Sequence, residues 1–203
     1  MGILVCGLNG CGKSTVGRIL AGKTGFKFID NEDLYFAKDD PDYLFSAPRS
    51  RDEVVRLLES EMPADGRFVF AAVSGNSDDY GEKLAPALEL IVLIEVPKAV
   101  RMERVRARSF GKFGERMLEG GDLYERESAF FRLVESRPED YVTKWLGSDE
   151  RAAGVPVLRI DGTLPPEENV GRIITFMSAC LKTRSRTKTA ASSSVRGSFC
   201  GMG

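Results

Sequence analysis

The nine residues GLNGCGKST, Gly7–Thr15, follow directly on the apolar run GILVC, Gly2–Cys6. Glycine in an element interior costs about 0.5–1 kcal/mol relative to alanine, and a packed core gains nothing from three glycines and a lysine. Something close to the backbone must recover that cost. The stretch meets the pattern G-x-x-x-x-G-K-[ST] with Gly7, Gly12, Lys13 and Ser14. Behind a strand and ahead of a helix, such a loop curls its N–H groups around phosphate oxygens, and the helix N-terminus adds positive potential. Gly7, Asn9, Gly10, Cys11, Gly12, Lys13, Ser14 and Thr15 are therefore expected to contact the nucleotide. Lys13 reaches the β- and γ-phosphates and Ser14 ligates Mg²⁺.

Outward from this loop, apolar runs and helical patterns alternate. Gly2–Cys6, Phe26–Ile29, Arg67–Val73, Leu90–Val96 and Pro156–Ile160 read as strands. Helices are expected over Thr15–Lys23, Asp52–Glu61, Pro97 to about Arg108, Asp122–Leu146 with a break near Pro138, and Pro166–Cys180. Apolar strands separated by helices predict a three-layer α/β domain, a five-stranded parallel sheet with helices on both faces. The run TRSRTKTAASSSVRGSFCGMG has little to bury, so residues 181–203 read as a basic, Ser/Thr-rich flexible tail.

The chain has 203 residues, 29 basic against 30 acidic, and a formal net charge of −1. That balance predicts no bulk affinity for nucleic acid or anionic membrane. Five of the basic residues lie in the tail, which has no acid, so the body carries 24 against 30. The four cysteines have no metal-ligand spacing, and no apolar run reaches membrane-spanning length. With no signal peptide in view, a cytoplasmic location is expected. Histidine is absent, so acid–base chemistry falls to carboxylates, lysines, hydroxyls or the cofactor.

The segment GLNGCGKSTVGRILAGKTGFKFIDNED, Gly7–Asp33, resembles the opening of a shikimate kinase. More broadly, residues 1–180 resemble the P-loop kinases of small molecules, which include gluconate kinase and adenylate kinase. The resemblance implies sheet order 2-3-1-4-5, a substrate cap at about 34–62 and a lid at about 109–146. It further implies ATP and Mg²⁺ as cofactors and a small hydroxyl compound as acceptor. A monomer or weak dimer is expected.

Asp30, Glu32 and Asp33 follow the second strand, at the end where open α/β sheets bind ligands. Phosphoryl transfer needs a carboxylate near Mg²⁺ and one near the attacking hydroxyl. Shikimate kinases carry Asp-x-Asp here, which implies Asp30 on the metal side and Glu32, one methylene longer than its counterpart, on the acceptor side. Asp30 is equally suited to cap a helix. In the cap, Arg49 and Arg51 are candidates to fork onto an acceptor anion, and Tyr35, Phe36, Tyr43 and Phe45 either wall a pocket or form a small core. SGN, Ser74–Asn76, stands where shikimate kinases carry a glycine-rich run beside the acceptor, making Gly75 and Asn76 substrate candidates. Arg104 and Arg108 share a helix face; by resemblance such a pair covers adenine and touches phosphates, with Arg108 a catalytic candidate. Lys112 and Arg116 are further lid cations. RIDGT, Arg159–Thr163, resembles the turn that cups adenine, implying Gly162 and Thr163. Residues 120–145 match none of the three kinase families well.

These features predict an ATP-dependent phosphotransferase acting on a small metabolite. A nucleoside or nucleotide kinase, or a non-catalytic NTP-binding regulatory protein, are the alternatives. A GTPase switch is disfavoured because no N-K-x-D motif is present.

Overall fold

Strand β1, Gly2–Cys6, alternates its side chains between two cores. Leu4 and Cys6 join one cluster with Phe68, Phe70, Ile91 and Leu93. Ile3 and Val5 join the other with Val69, Val92 and Ile94. Both faces of the sheet are thus buried, as a parallel sheet requires. The computed structural model describes residues 1–37, 47–75 and 81–194.

The remaining elements, in chain order, are α1 (Lys13–Thr24), β2 (Lys27–Asp30), α2 (Asn31–Tyr35), α3 (Arg51–Glu61), β3 (Phe68–Ala72), α4 (Gly81–Leu84), β4 (Leu88–Glu95), α5 (Lys98–Phe113), α6 (Tyr124–Ser136), α7 (Tyr141–Ser148), β5 (Val157–Asp161) and α8 (Pro166–Ser194). The five strands form one parallel sheet in the order β2-β3-β1-β4-β5, the order implied by the resemblance to P-loop kinases. Helices α1 and α8 cover the Ile3/Val5 face through Val16, Leu20, Val170 and Ile173. Helices α3 and α7 cover the other through Val54, Leu58, Val142 and Trp145. A third, smaller cluster joins α5 to α6: Met102 and Val105 against Val134, Phe130 and Phe131.

Three expectations need correction. Strand β5 is not apolar throughout: it is a sheet edge, and among its five residues only Ile160 is buried. Helix α5 does not stop near Arg108 but continues to Phe113, where Gly114 takes φ 57° and ends it. Helix α8 does not end at Cys180. Its backbone continues to Ser194, because neither glycine nor proline occurs between Arg172 and Ser194 to interrupt the ladder. No helix among the described residues is long and apolar enough to cross a membrane.

Candidate active site

The loop after β1 sits where the C-terminal ends of the strands meet. Gly7 donates to the Val73 carbonyl at the end of β3 (3.1 Å), and Cys11 closes the turn onto Leu8 (3.2 Å). Gly10 and Gly12 take φ 83° and 96°, values that side chains rarely adopt. A Cβ on Gly10 would also overlap the Arg101 carbonyl of α5, so the loop lies flush on that helix. Lys13 opens α1 and folds its Nζ back to the Leu8 carbonyl (3.2 Å), keeping the charge at the mouth of the loop.

A cavity of about 370 Å³ opens beside it. Asn9, Gly10, Lys13 and Ser14 line one side; Asp30 and Glu32 line another; Arg108 closes over from α5. Asp30, the last residue of β2, is 8% exposed, so its carboxylate is fixed rather than free in solvent. Its Oδ1 accepts from the Glu32 N–H (3.1 Å), capping α2, while Oδ2 accepts from Arg18 (3.3 Å). The capping role that sequence alone offered for Asp30 is therefore realised on a side chain that also faces the cavity. Glu32 lies 3.8 Å from Arg108, both half-exposed. Nearby, burial pushes the Lys112 ammonium below its ordinary range, and Glu32 is the main charge pulling it back.

The two arginines of α5 divide their work. Arg104 donates to the Gly162 carbonyl (3.0 Å) in the β5–α8 turn, and Arg108 reaches Glu32. Gly162 is pressed between Ile94, Val96 and the Cys11 carbonyl, with no room for a side chain. Asp161 locks the same turn by accepting from both the N–H and the hydroxyl of Thr163 (2.8 and 2.7 Å). Arg104, Gly162 and Thr163 thus form a second group on the far side of the loop from Glu32. Thr15 is exposed on the first turn of α1 and does not line the cavity.

Several candidates lie elsewhere. Arg49 places Nη1 on the backbone carbonyls of Asp33 and Leu34 (2.8 and 3.1 Å), fastening α2 instead of lining the cavity. Arg51 is exposed at the start of α3, behind a Ser50–Glu53 capping box, and is not a lining residue either. Gly75 is buried, and a Cβ there would come within 3.0 Å of Leu4 and the Trp145 ring, so its small size serves packing. Asn76, Tyr43 and Phe45 lie outside the described residues. Arg116 forms a two-pronged pair with Asp122 between α5 and α6 (2.6–3.2 Å). Tyr35 and Phe36 do wall the cavity.

Sequence reasoning missed Arg137, Phe130, Leu133 and Asn31, all of which line the cavity. Arg137 donates to Asn9 Oδ1 (2.5 Å), tying the phosphate loop to the end of α6. No motif marks these residues; for Phe130, Leu133 and Arg137 the one available signal is their helical spacing in residues 120–145, which match none of the three kinase families well, and Asn31 had none.

Residues 3–119 match the family model described as AAA domain, which spans more than half of the chain. The chain belongs to the AAA domain family. This AAA domain chain is 25% identical over 185 residues to the uncharacterized protein YqaC of Bacillus subtilis strain 168, covering 87% of this chain and 97% of that protein. Among solved structures it is similar to a gluconokinase from Sinorhizobium meliloti 1021, with TM-score 0.53 and 18% identity over 92% of this chain and 96% of that one. A shikimate kinase from Aquifex aeolicus aligns with TM-score 0.46 and 20% identity over 88% and 97% of the two chains. The gluconokinase likeness, with the strand order, gives this AAA domain protein the P-loop kinase fold.

Proposed function

We propose that the chain is an ATP-dependent phosphotransferase that moves the γ-phosphoryl group to a hydroxyl of a small metabolite. One observation carries the reading: one cavity collects Lys13 and Ser14 of the loop, the carboxylates of Asp30 and Glu32, and Arg108 of α5. The names of the gluconokinase and shikimate kinase neighbours agree with it.

The residues present fit a magnesium ion. Ser14 and Asp30 both line the cavity and offer hard oxygen donors, the donor type Mg²⁺ prefers. Among the described residues no group of three or more acidic, Cys or His side chains could hold a metal alone, which suits an ion arriving with nucleotide phosphates. When bound, the ion neutralises phosphate charge.

The transfer breaks the bond from the γ-phosphorus to its bridging oxygen and forms one to the acceptor oxygen. ADP leaves, and the hydroxyl proton passes to the Glu32 carboxylate and then to water. Lys13 and Arg108 stabilise the charge spread over the transferring group. Arg104, Gly162 and Thr163 hold the base end of the nucleotide. Lid closure by α5 and α6 keeps water from competing for the phosphoryl group.

The test is ADP formation by the purified protein with Mg-ATP and a panel of hydroxyl metabolites and nucleotides, run beside Lys13→Ala. Acceptor-dependent turnover that falls by at least about a hundredfold in a folded Lys13→Ala protein is expected. Wild-type turnover in that variant overturns the reading of the loop. ATP binding without transfer to any acceptor would favour the regulatory alternative.

A further inference from the structure

The last part of α6 and its cap place Phe130, Leu133 and Arg137 at i, i+3 and i+7, and all three face the cavity. Helical geometry puts such positions on one stripe. Arg137 is tied to Asn9 and Phe130 packs in part against Met102, Val105 and Val134, whereas the clusters among the described residues do not include Leu133. Leu133 is 55% exposed and lines the cavity with an apolar side chain. Across the cavity stand Tyr35 and Phe36, both half-buried, and the floor is made of the small residues Ala71, Ala72 and Val73. The site thus has a charged half, with Lys13, Asp30, Glu32 and Arg108, and an apolar half, with Tyr35, Phe36, Phe130 and Leu133.

We infer that the acceptor is a hydroxyl compound bearing an aromatic or heteroaromatic ring, held between the α6 stripe and the Tyr35–Phe36 wall. This rests on the phosphotransferase reading and names its substrate class. An open-chain polyol would leave the apolar half wet and its own hydroxyls without partners there. A flat ring fills it. Residues 120–145, which match none of the three kinase families well, then have their use as the part that selects the acceptor.

The experiment measures acceptor-dependent ADP formation with two sets of probes at equal concentration. One set is adenosine, cytidine, thymidine and pyridoxine; the other is gluconate, shikimate and glycerol. Wild type and Leu133→Ser are compared, the exposed position making loss of folding an unsuitable explanation; Phe130→Ala serves as a second variant. A ring-bearing acceptor should be used best, and Leu133→Ser should raise its KM about tenfold while the KM for ATP stays unchanged. Preference for gluconate, shikimate or glycerol overturns the inference and leaves the phosphotransferase reading intact. So does a Leu133→Ser protein whose KM values for both substrates are those of wild type. If no probe of either set accepts phosphate while Lys13-dependent ATP binding persists, the phosphotransferase reading fails and takes this inference with it.

Discussion

Alanine at Gly10 and alanine at Gly12 should have unequal effects, although the two positions lie in one loop with backbone angles of the same sign. Both φ values, 83° and 96°, place an L-residue in the left-handed region, at a cost of about 1–2 kcal/mol. A Cβ on Gly12 would meet nothing within 4 Å, so strain is the whole penalty there. On Gly10 it would overlap the Arg101 carbonyl and press on Val105 Cγ2 at 3.0 Å. Helix α5 cannot yield cheaply, because Arg101 is 3% exposed and Val105 is 1% exposed. Overpacking of this kind adds about 1–3 kcal/mol. For a chain of this size each kcal/mol moves the melting temperature by about 2–4 °C. Gly12→Ala, at about 1.5 kcal/mol, should therefore lower it by about 3–6 °C. Gly10→Ala, at about 3.5 kcal/mol, should lower it by about 7–14 °C. Thermal melting followed by circular dichroism measures both. Equal losses, or a larger loss at Gly12, would refute the contact between loop and α5 on which the site's geometry depends.

Asp30→Asn should weaken metal-dependent ATP use with every acceptor, whereas Glu32→Gln should leave ATP affinity near wild type and reduce transfer by about a hundredfold, as for loss of a general base; titration calorimetry and turnover separate the two, and normal turnover in both variants would remove this cluster from the chemistry. Burial pushes the Cys6 thiol from 9.0 up to about 12, with Cys11 adding to the rise and Lys13 opposing it. Above pH 9 the unfolded chain releases a proton that the folded chain keeps, so stability falls as pH rises, by up to about 1.4 kcal/mol per unit. The melting-temperature advantage of wild type over Cys6→Ala should accordingly shrink between pH 8 and pH 10, and a constant gap would contradict it. Truncation after Leu181 should leave the melting temperature nearly unchanged, since the removed residues have little apolar surface to bury; a fall of many degrees would mean that they dock on the body.

Legibility in the sequence followed the range of the interactions. The loop Gly7–Thr15 was readable because its geometry is local: glycines where φ is positive, a lysine at the start of a helix, an apolar strand before it. Asp30 and Glu32 were readable for the same reason, being fixed by the end of β2. Strand order came from resemblance, since pairing of β1 with β3 and β4 depends on contacts that no local pattern encodes. Arg137 was hidden because its partner Asn9 is 128 residues away. Arg49 and Gly75 were placed near the acceptor by analogy, while the packing of this chain assigns them to the α2 backbone and to Trp145. The end of α8 was misjudged because composition spoke for disorder, while the absence of glycine and proline lets a helix continue.

The central position of β1 has a consequence for how the chain is made. It is synthesised before the other four strands of this sheet, yet its neighbours are β3 and β4, in register from Gly2↔Phe68 and Ile3↔Leu90. At about 5–20 residues per second, roughly 4–18 s separate Cys6 from Glu95 during translation. Until β3 emerges Ile3, Leu4 and Val5 have no native partner on either side, and until β4 follows they have one on the β3 side alone, so α1 has no completed sheet to rest on. The segment that carries the phosphate loop is therefore the one most in need of protection by a chaperone at the ribosome. It is also the place where a slowly translated message would cost the most folded protein.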